Sequence, residues 1–227
     1  MVDSKKLNDL LTNNWLGLDA AARDKICEFY NLVYKENQIQ NLTKLINISD
    51  FFEGHVIDVR ELLKSCLINY PALDLGSGLG VPGLMAAAVE QKTWIISEAE
   101  KRKADFLIRA VRKLNIQGHI TVFSGRAEDF LINNKVQSVV VRAVGPIDRI
   151  YRLIRRCSTW NNLILFKGPA WEREWLGFNK SHFCKELILT STHEYFIGSD
   201  KKYRIIAKLN RVPRGTKSIN KTSIFCQ

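Results

Sequence analysis

The sequence predicts an α/β protein in which a mostly parallel sheet of about seven strands stands behind an N-terminal helical cap. Three observations predict it. Apolar side chains recur at helical spacing in the first third of the chain. From Tyr70 onward, short apolar runs alternate with helical segments, the pattern of βαβ units and a parallel sheet. A glycine-rich turn joins the first of those runs to the helix after it.

The elements follow in order. Asp19 is placed to cap a helix over AAARDKICEFYNLVYKEN, with Ile26, Phe29, Tyr30, Val33 and Tyr34 on its apolar face. Ser49 is placed to cap a second, DFFEGHVIDVRELLKSC, with Phe52, Val56, Val59 and Leu63 aligned. The polar stretch QIQNLTKLINI separates them. Strand and helix then alternate through YPALDL, VPGLMAAAVE, TWIIS, AEKRKADFLIRAVRKLN, HITVF, RAEDFLIN, VQSVVV, PIDRIYRLIRRC and NLILF. An aromatic segment, GPAWEREWLGF, precedes two successive strand-like runs, HFCKELILTSTHEYF and KYRIIAKLN, which predict a terminal antiparallel hairpin. The expected division is a helical cap over 1–66, a sheet domain over 67–210 and a basic tail over 211–227.

Of the 227 residues, 46% are hydrophobic, enough to build a core, and no run reaches the roughly 18 apolar residues of a membrane span. The start, MVDSKKLNDLL, lacks an apolar signal core, and Cys27, Cys66, Cys157, Cys184 and Cys226 form no C-x-x-C pair. A reducing cytosol, with neither disulfides nor zinc, is the expectation. His55, His119, His182 and His193 show no metal-ligand spacing either. Lys and Arg number 34 against 23 Asp and Glu, a net charge of +11 that points to a polyanionic partner, nucleic acid first. A basic enzyme with no such partner is the plainer alternative. The charge is grouped: Lys101, Arg102, Lys103, Arg109, Arg112 and Lys113; Arg149, Arg152, Arg155 and Arg156; and eight basic residues with no acid from Lys201 to Gln227.

The sharpest motif is Asp74-Leu-Gly76-Ser-Gly78-Leu-Gly80-Val81-Pro82-Gly83, between an apolar strand and a helix. Glycines let the backbone bend and let a ligand approach it closely. Gly78-x-Gly80-x-x-Gly83 is formally a dinucleotide fingerprint. Asp74, two residues before the first glycine, is awkward beside a pyrophosphate but suits the cationic amino-acid end of S-adenosylmethionine. Glu98, at the tip of the second strand, suits the ribose hydroxyls of either cofactor. Strand tips line the ligand crevice of an open α/β sheet, so Ala127 and Glu128 after the third strand, Arg142 after the fourth and Lys167 after the fifth are further candidates.

These residues resemble the bacterial small-subunit rRNA methyltransferase G family (GidB, RsmG). The loop DLGSGLGVPG is similar to the family's D-x-G-[ST]-G-x-G-x-P-G. EKRKADFL, SGRAEDF, VRAVGP and FKG resemble its later segments, and NLTK at Asn41–Lys44, His55-x-x-Asp58 and VPRGTK resemble its terminal motifs. There are departures: Glu36-Asn37 stands where a Trp-Asn pair is usual, Val59 replaces a Ser, and the tail is abbreviated. The resemblance implies a Rossmann-like class I methyltransferase that modifies guanine N7 in the 530 loop of 16S rRNA, as naked RNA or in the small subunit. It implies S-adenosylmethionine contacts at Gly76, Val81, Ala127, Glu128 and Arg142, beside Asp74, Gly78, Gly80 and Glu98 from the reading above. Arg142 and Lys167 are the candidate catalytic groups.

Guanine N7 carries a free lone pair and no proton, so no general base is expected, and orientation alone can supply roughly 7–11 kcal/mol. Trp171 and Trp175 could stack on the base, although packing of a helix at i and i+4 is the favoured reading. A monomer is expected. The rivals are an NAD-dependent oxidoreductase on the same loop, a methyltransferase for another base or a protein, and an RNA-binding protein without catalysis.

Overall fold

The computed structural model describes residues 4–212, so the tail expected over 211–227 lies outside the described residues except for Arg211 and Val212. The N-terminal part is helical: α1 (Ser4–Asn14), α2 (Ala20–Asn37) and α3 (Ile48–Phe51), which runs through a π-helical turn at Phe52–Val56 into α4 (Ile57–Lys64). Asp19 caps α2 as expected, its Oδ1 accepting from the Ala22 N–H at 2.7 Å. Such a cap is worth about 1 kcal/mol. The second helix corrects the sequence reading. Asn47 caps it, accepting from the Asp50 N–H at 2.8 Å, and Ser49 lies inside α3. Asn is as good a cap as Ser, and starting earlier brings Ile48 into the helix, where it packs on the core.

The rest alternates: β1 (Ala72–Leu75), α5 (Gly83–Val89), β2 (Trp94–Glu98), α6 (Lys101–Lys113), β3 (Ile120–Ser124), α7 (Ala127–Asn133), β4 (Ser138–Arg142), α8 (Ile147–Ile154), β5 (Asn162–Lys167) and α9 (Trp171–Asn179). Two long strands, β6 (Leu187–Ile197) and β7 (Lys202–Arg211), form the expected hairpin. The seven strands lie in the order β3-β2-β1-β4-β5-β7-β6. β1 to β5 pair in parallel, and β7 joins β5 antiparallel. This is the expected α/β, Rossmann-like architecture with a mostly parallel sheet.

Strand side chains alternate between the two faces of a sheet, and that alternation sorts two cores. Ala72, Ile96, Val140, Ile164 and Ile206 face α5, α6 and the N-terminal helices, whose Ile26, Phe29, Tyr30 and Val33 join the same cluster. Leu73, Ile95, Val139, Val141, Leu163 and Leu165 face α7, α8 and α9. The aromatic segment forms α9, and Trp171 is buried against that second core, stacked on Trp175 at 5.8 Å and 16°. Its role here is packing. Part of the second basic group also packs on the molecule: Arg152 and Arg155 lie 4.8 and 4.7 Å from the centre of the buried Phe183 ring.

Candidate active site

The site forms where β1 ends between β2 and β4. Asp74 is level with Ile96 on one side and Val140 on the other. Glu98 and Arg142, each two residues further on, therefore end their strands at one height beside the glycine turn. By the same two-residue alternation, Asp74, Glu98 and Arg142 share the cap-side face with Ala72, Ile96 and Val140.

Asp74 is 1% exposed, and its Oδ2 accepts from Ser77 Oγ at 2.6 Å and from the Gly83 N–H at 2.9 Å. The carboxylate laces the turn together from inside. Burial pushes its pKa up to about 6, against the opposing pull of the Ser77 and Gly83 hydrogen bonds and of Arg142. The glycines serve different ends. Gly76, Gly78 and Gly80 have φ of +68°, +60° and +105°, conformations that disfavour a side chain. At Gly83 a Cβ would stand 2.6 Å from Ile96 Cδ1 and 2.8 Å from Asp74 Cβ, so glycine there permits close packing of α5 on the sheet. At Gly78 a Cβ would meet nothing within 4 Å, which marks the open side of the turn. Val81 is buried in the cap-side core beneath it.

Glu98 Oε2 accepts from the Gly78 N–H at 2.9 Å, and Oε1 accepts from the Glu100 N–H at 2.8 Å. The Gly125 N–H donates to the Glu98 carbonyl at 2.9 Å, and Ser97 Oγ donates to the Gly125 carbonyl at 3.0 Å. These bonds draw the start of α7, with buried Ala127 and partly buried Glu128, beside the tip of β2. The Glu128 carboxylate stands 3.6 Å from Arg126.

Arg142 is held by the cap. Its Nη1 lies 3.2 Å from Asp58 Oδ2, and its Nη2 donates to His55 Nδ1 at 2.6 Å. Asp58 Oδ1 accepts from the Tyr195 hydroxyl at 2.7 Å. His55 is 2% exposed, and burial, reinforced by the Arg142 charge, lowers its pKa to about 3. The ring is therefore neutral. With Nδ1 accepting, Nε2 carries the proton and donates to Thr43 Oγ1 at 3.1 Å. With both nitrogens engaged, His55 is not placed to act as a base. Beside this cluster opens a cleft of about 370 Å³ lined by Gly54, Asp58, Arg142, Phe166, Tyr195 and Arg204. A larger hollow, about 530 Å³ between α8 and α9, lies against Pro146, Arg173 and Glu174, away from the glycine turn.

Lys167 borders the same 370 Å³ cleft as Arg142, but its amine is engaged away from the glycine turn. It alternates with Phe166 and points to the opposite face, where its amine donates to the Gly145 carbonyl at 2.8 Å and to Glu174 Oε1 at 2.6 Å. It holds the loop after β4 against α9. The sequence reading quoted His55 and Asp58 only as a motif and did not connect them with Arg142. It missed Tyr195, Arg204 and Glu174 altogether, because their meaning depends on which strands become neighbours.

Comparison with known proteins adds the rest. The family model for rRNA small subunit methyltransferase G, GidB, matches residues 22–202. A ribosomal RNA small subunit methyltransferase G of Mesoplasma florum is 32% identical over 157 residues, covering 67% of this chain and 66% of the relative, just under two thirds of its length. One of Nitrosomonas europaea is 31% identical over 175 residues, covering 74% of this chain and 79% of the relative. Among solved structures, the O-methyltransferase from Bacillus cereus in complex with SAH superposes with a TM-score of 0.52 at 14% identity, over 91% of this chain and 97% of that one. At that identity the likeness concerns the fold.

Proposed function

We propose, from the premise that this chain belongs to the rRNA small subunit methyltransferase G family, that it transfers a methyl group from S-adenosylmethionine to N7 of a guanine in the 530 loop of 16S rRNA, in the cytosol. The observation that carries the reading is the convergence of Asp74, Glu98 and Arg142 on one face around the open side of the glycine turn. The residues suit such a ligand: the turn leaves room over Gly78, and Glu98 offers a carboxylate at the edge for ribose hydroxyls. The bound group supplies a methyl carried on a cationic sulfur.

The backbone of Gly76, Gly78, Gly80 and Val81 forms the floor, and Ala127 and Glu128 border the side next to Glu98. Asp74 acts as a buried positioning group that fixes the turn and adds negative potential beneath it. Arg142 would offer its guanidinium to the ligand's carboxylate, a charge-assisted contact. The cleft between Arg142 and Arg204 receives the base, with Phe166 in its wall. Guanine N7 has a lone pair and no proton to lose, so the chain need supply no base; the cofactor, held by these residues, would supply the methyl group and would leave as the neutral thioether once its sulfur–methyl bond broke. The chain's task is alignment and exclusion of water.

The test is transfer of labelled methyl from S-adenosylmethionine to 16S rRNA and to intact small subunits by the purified protein, with mapping of the modified nucleotide. Label at a guanine N7 in the 530 loop is expected. Label on another base or on protein would overturn the acceptor assignment. Binding of NAD but not of S-adenosylmethionine, measured by calorimetry, would overturn the enzyme class.

A further inference from the structure

The loop between α2 and α3 is anchored at several points. Asn37 Oδ1 accepts from the Leu42 and Thr43 N–H groups at 2.8 and 2.9 Å. The Tyr30 hydroxyl donates to the Ile46 carbonyl at 2.9 Å, and Thr43 Oγ1 accepts from the Leu45 N–H at 3.0 Å. Leu45 then lies over Gly54, where a Cβ would collide with it, and forms a rim of the cleft beside Arg142. The same Thr43 hydroxyl accepts from His55, and His55 accepts from Arg142. A continuous chain of polar contacts therefore runs from the cleft rim to the tip of β4.

From this geometry we infer that Thr43 and His55 are positioning residues through which the rim loop of the cap sets the orientation of the Arg142 guanidinium. The inference rests on the function proposed above for the meaning of Arg142, but its structural content concerns the free protein. Asp58 supplies Arg142 with a counter-charge, and an ion pair alone leaves a guanidinium free to turn about it. The short contact to His55 Nδ1 adds a second fixed direction. Because that nitrogen must accept, only the neutral ring serves, and burial keeps it neutral.

Three substitutions separate orientation from simple packing. Asn places an oxygen where His55 has Nδ1 and so keeps the acceptor for Arg142. Gln places its amide where Nε2 lies and keeps only the link to Thr43. Leu keeps neither. Two measurements are made on each full-length variant: side-chain nitrogen NMR of Arg142 in the free protein, assigned with Arg142→Lys, and methyl transfer with kcat and KM separated. Slow, hindered rotation of the guanidinium is expected in the wild type and in His55→Asn, and free rotation in His55→Leu and His55→Gln. The kcat of the latter two should fall by roughly tenfold to a hundredfold, the scale of a misplaced group, and His55→Asn should recover most of it. Thr43→Val should show a smaller loss of the same kind. Equal Arg142 signals in the Leu and Asn variants, or an Asn variant no better than Gln, would overturn the inference. A wild type that shows the hindered rotation but transfers no methyl to small-subunit RNA would sink the proposed function and leave this positioning intact.

Discussion

The two sides of the crevice are built on different plans. The glycine side is one continuous segment, Asp74 to Gly83, shaped by backbone conformation and laced by its own Asp74. The cap side is assembled from Thr43, His55, Asp58, Arg142 and Tyr195, which come from a loop, a helix and two strands far apart in sequence. A local turn carries its geometry within itself. A site built from separate elements holds its geometry only while its buried charges stay matched, so the same kind of substitution should act on affinity in one region and on stability and turnover in the other.

That contrast can be broken most directly at Arg142. Arg142→Ala leaves Asp58 buried without its ion-pair partner, held only by the Tyr195 hydroxyl and the more distant Arg204 charge, a change that costs up to about 3–5 kcal/mol, and turnover should fall with it; urea unfolding alongside the methyl-transfer assay reads both. A variant as stable as the wild type would mean that the cap side is not knit by charge. At the glycine turn the opposite pattern is expected. Gly78→Asp puts a second carboxylate beside Glu98 on the open side, and S-adenosylmethionine affinity should drop about a hundredfold, some 3 kcal/mol, with only a modest fall in melting temperature from the strain at φ +60°, which Asp tolerates better than most residues. Unchanged affinity by calorimetry would remove the turn from the binding site. Gly83→Ala sharpens the contrast within the turn. Its Cβ has no room, and overpacking of about 1–3 kcal/mol should appear in thermal melting even without ligand.

The smallest effect is one of pH. An unfolded His55 takes up a proton near its ordinary value of 6.5, whereas the folded ring does so only near 3. Between those values the unfolded state binds the extra proton, so this residue's contribution to stability is lost as pH falls below about 6.5, by about 1 kcal/mol at pH 5.5. Asp74 works in the other direction, because its folded carboxyl holds a proton up to about 6. The His55 effect is therefore read as the difference between wild type and His55→Asn, unfolded in urea at pH 7.5 and 5.5. Parallel losses in the two proteins would show that the ring is not kept neutral by the fold.

The same contrast explains what was legible in the sequence. The alternation of strands and helices, the hairpin, the cap at Asp19 and the glycine turn are local patterns, and the structure follows them. Ser49 misled because two good capping residues, Asn47 and Ser49, lie two positions apart, and packing of Ile48 decides between them. Lys167 is a strand-tip charge by the same logic as Arg142 and borders the same cleft, yet the strand's two-residue period sets it with Leu163 and Leu165, and its amine is taken up by the Gly145 carbonyl and Glu174. Tyr195 and Arg204 carry no local signal, since β7 and β6 reach β5 only through antiparallel pairing at the end of the chain.

The π-helical turn at Phe52–Val56 has a consequence for how this chain can vary. Each residue advances an α-helix by about 100°, so the widened turn sets how α4 is rotated relative to α3. Asp58 and Glu61 face Tyr195 and His193 on β6 only at that rotation. Loss or gain of one residue within the turn would swing both carboxylates off the sheet together, although every side chain needed for the contacts would still be encoded. The spacing between Asn47 and Asp58 is thus as constrained as the identity of either residue, and length changes are better tolerated in the connections outside this helix.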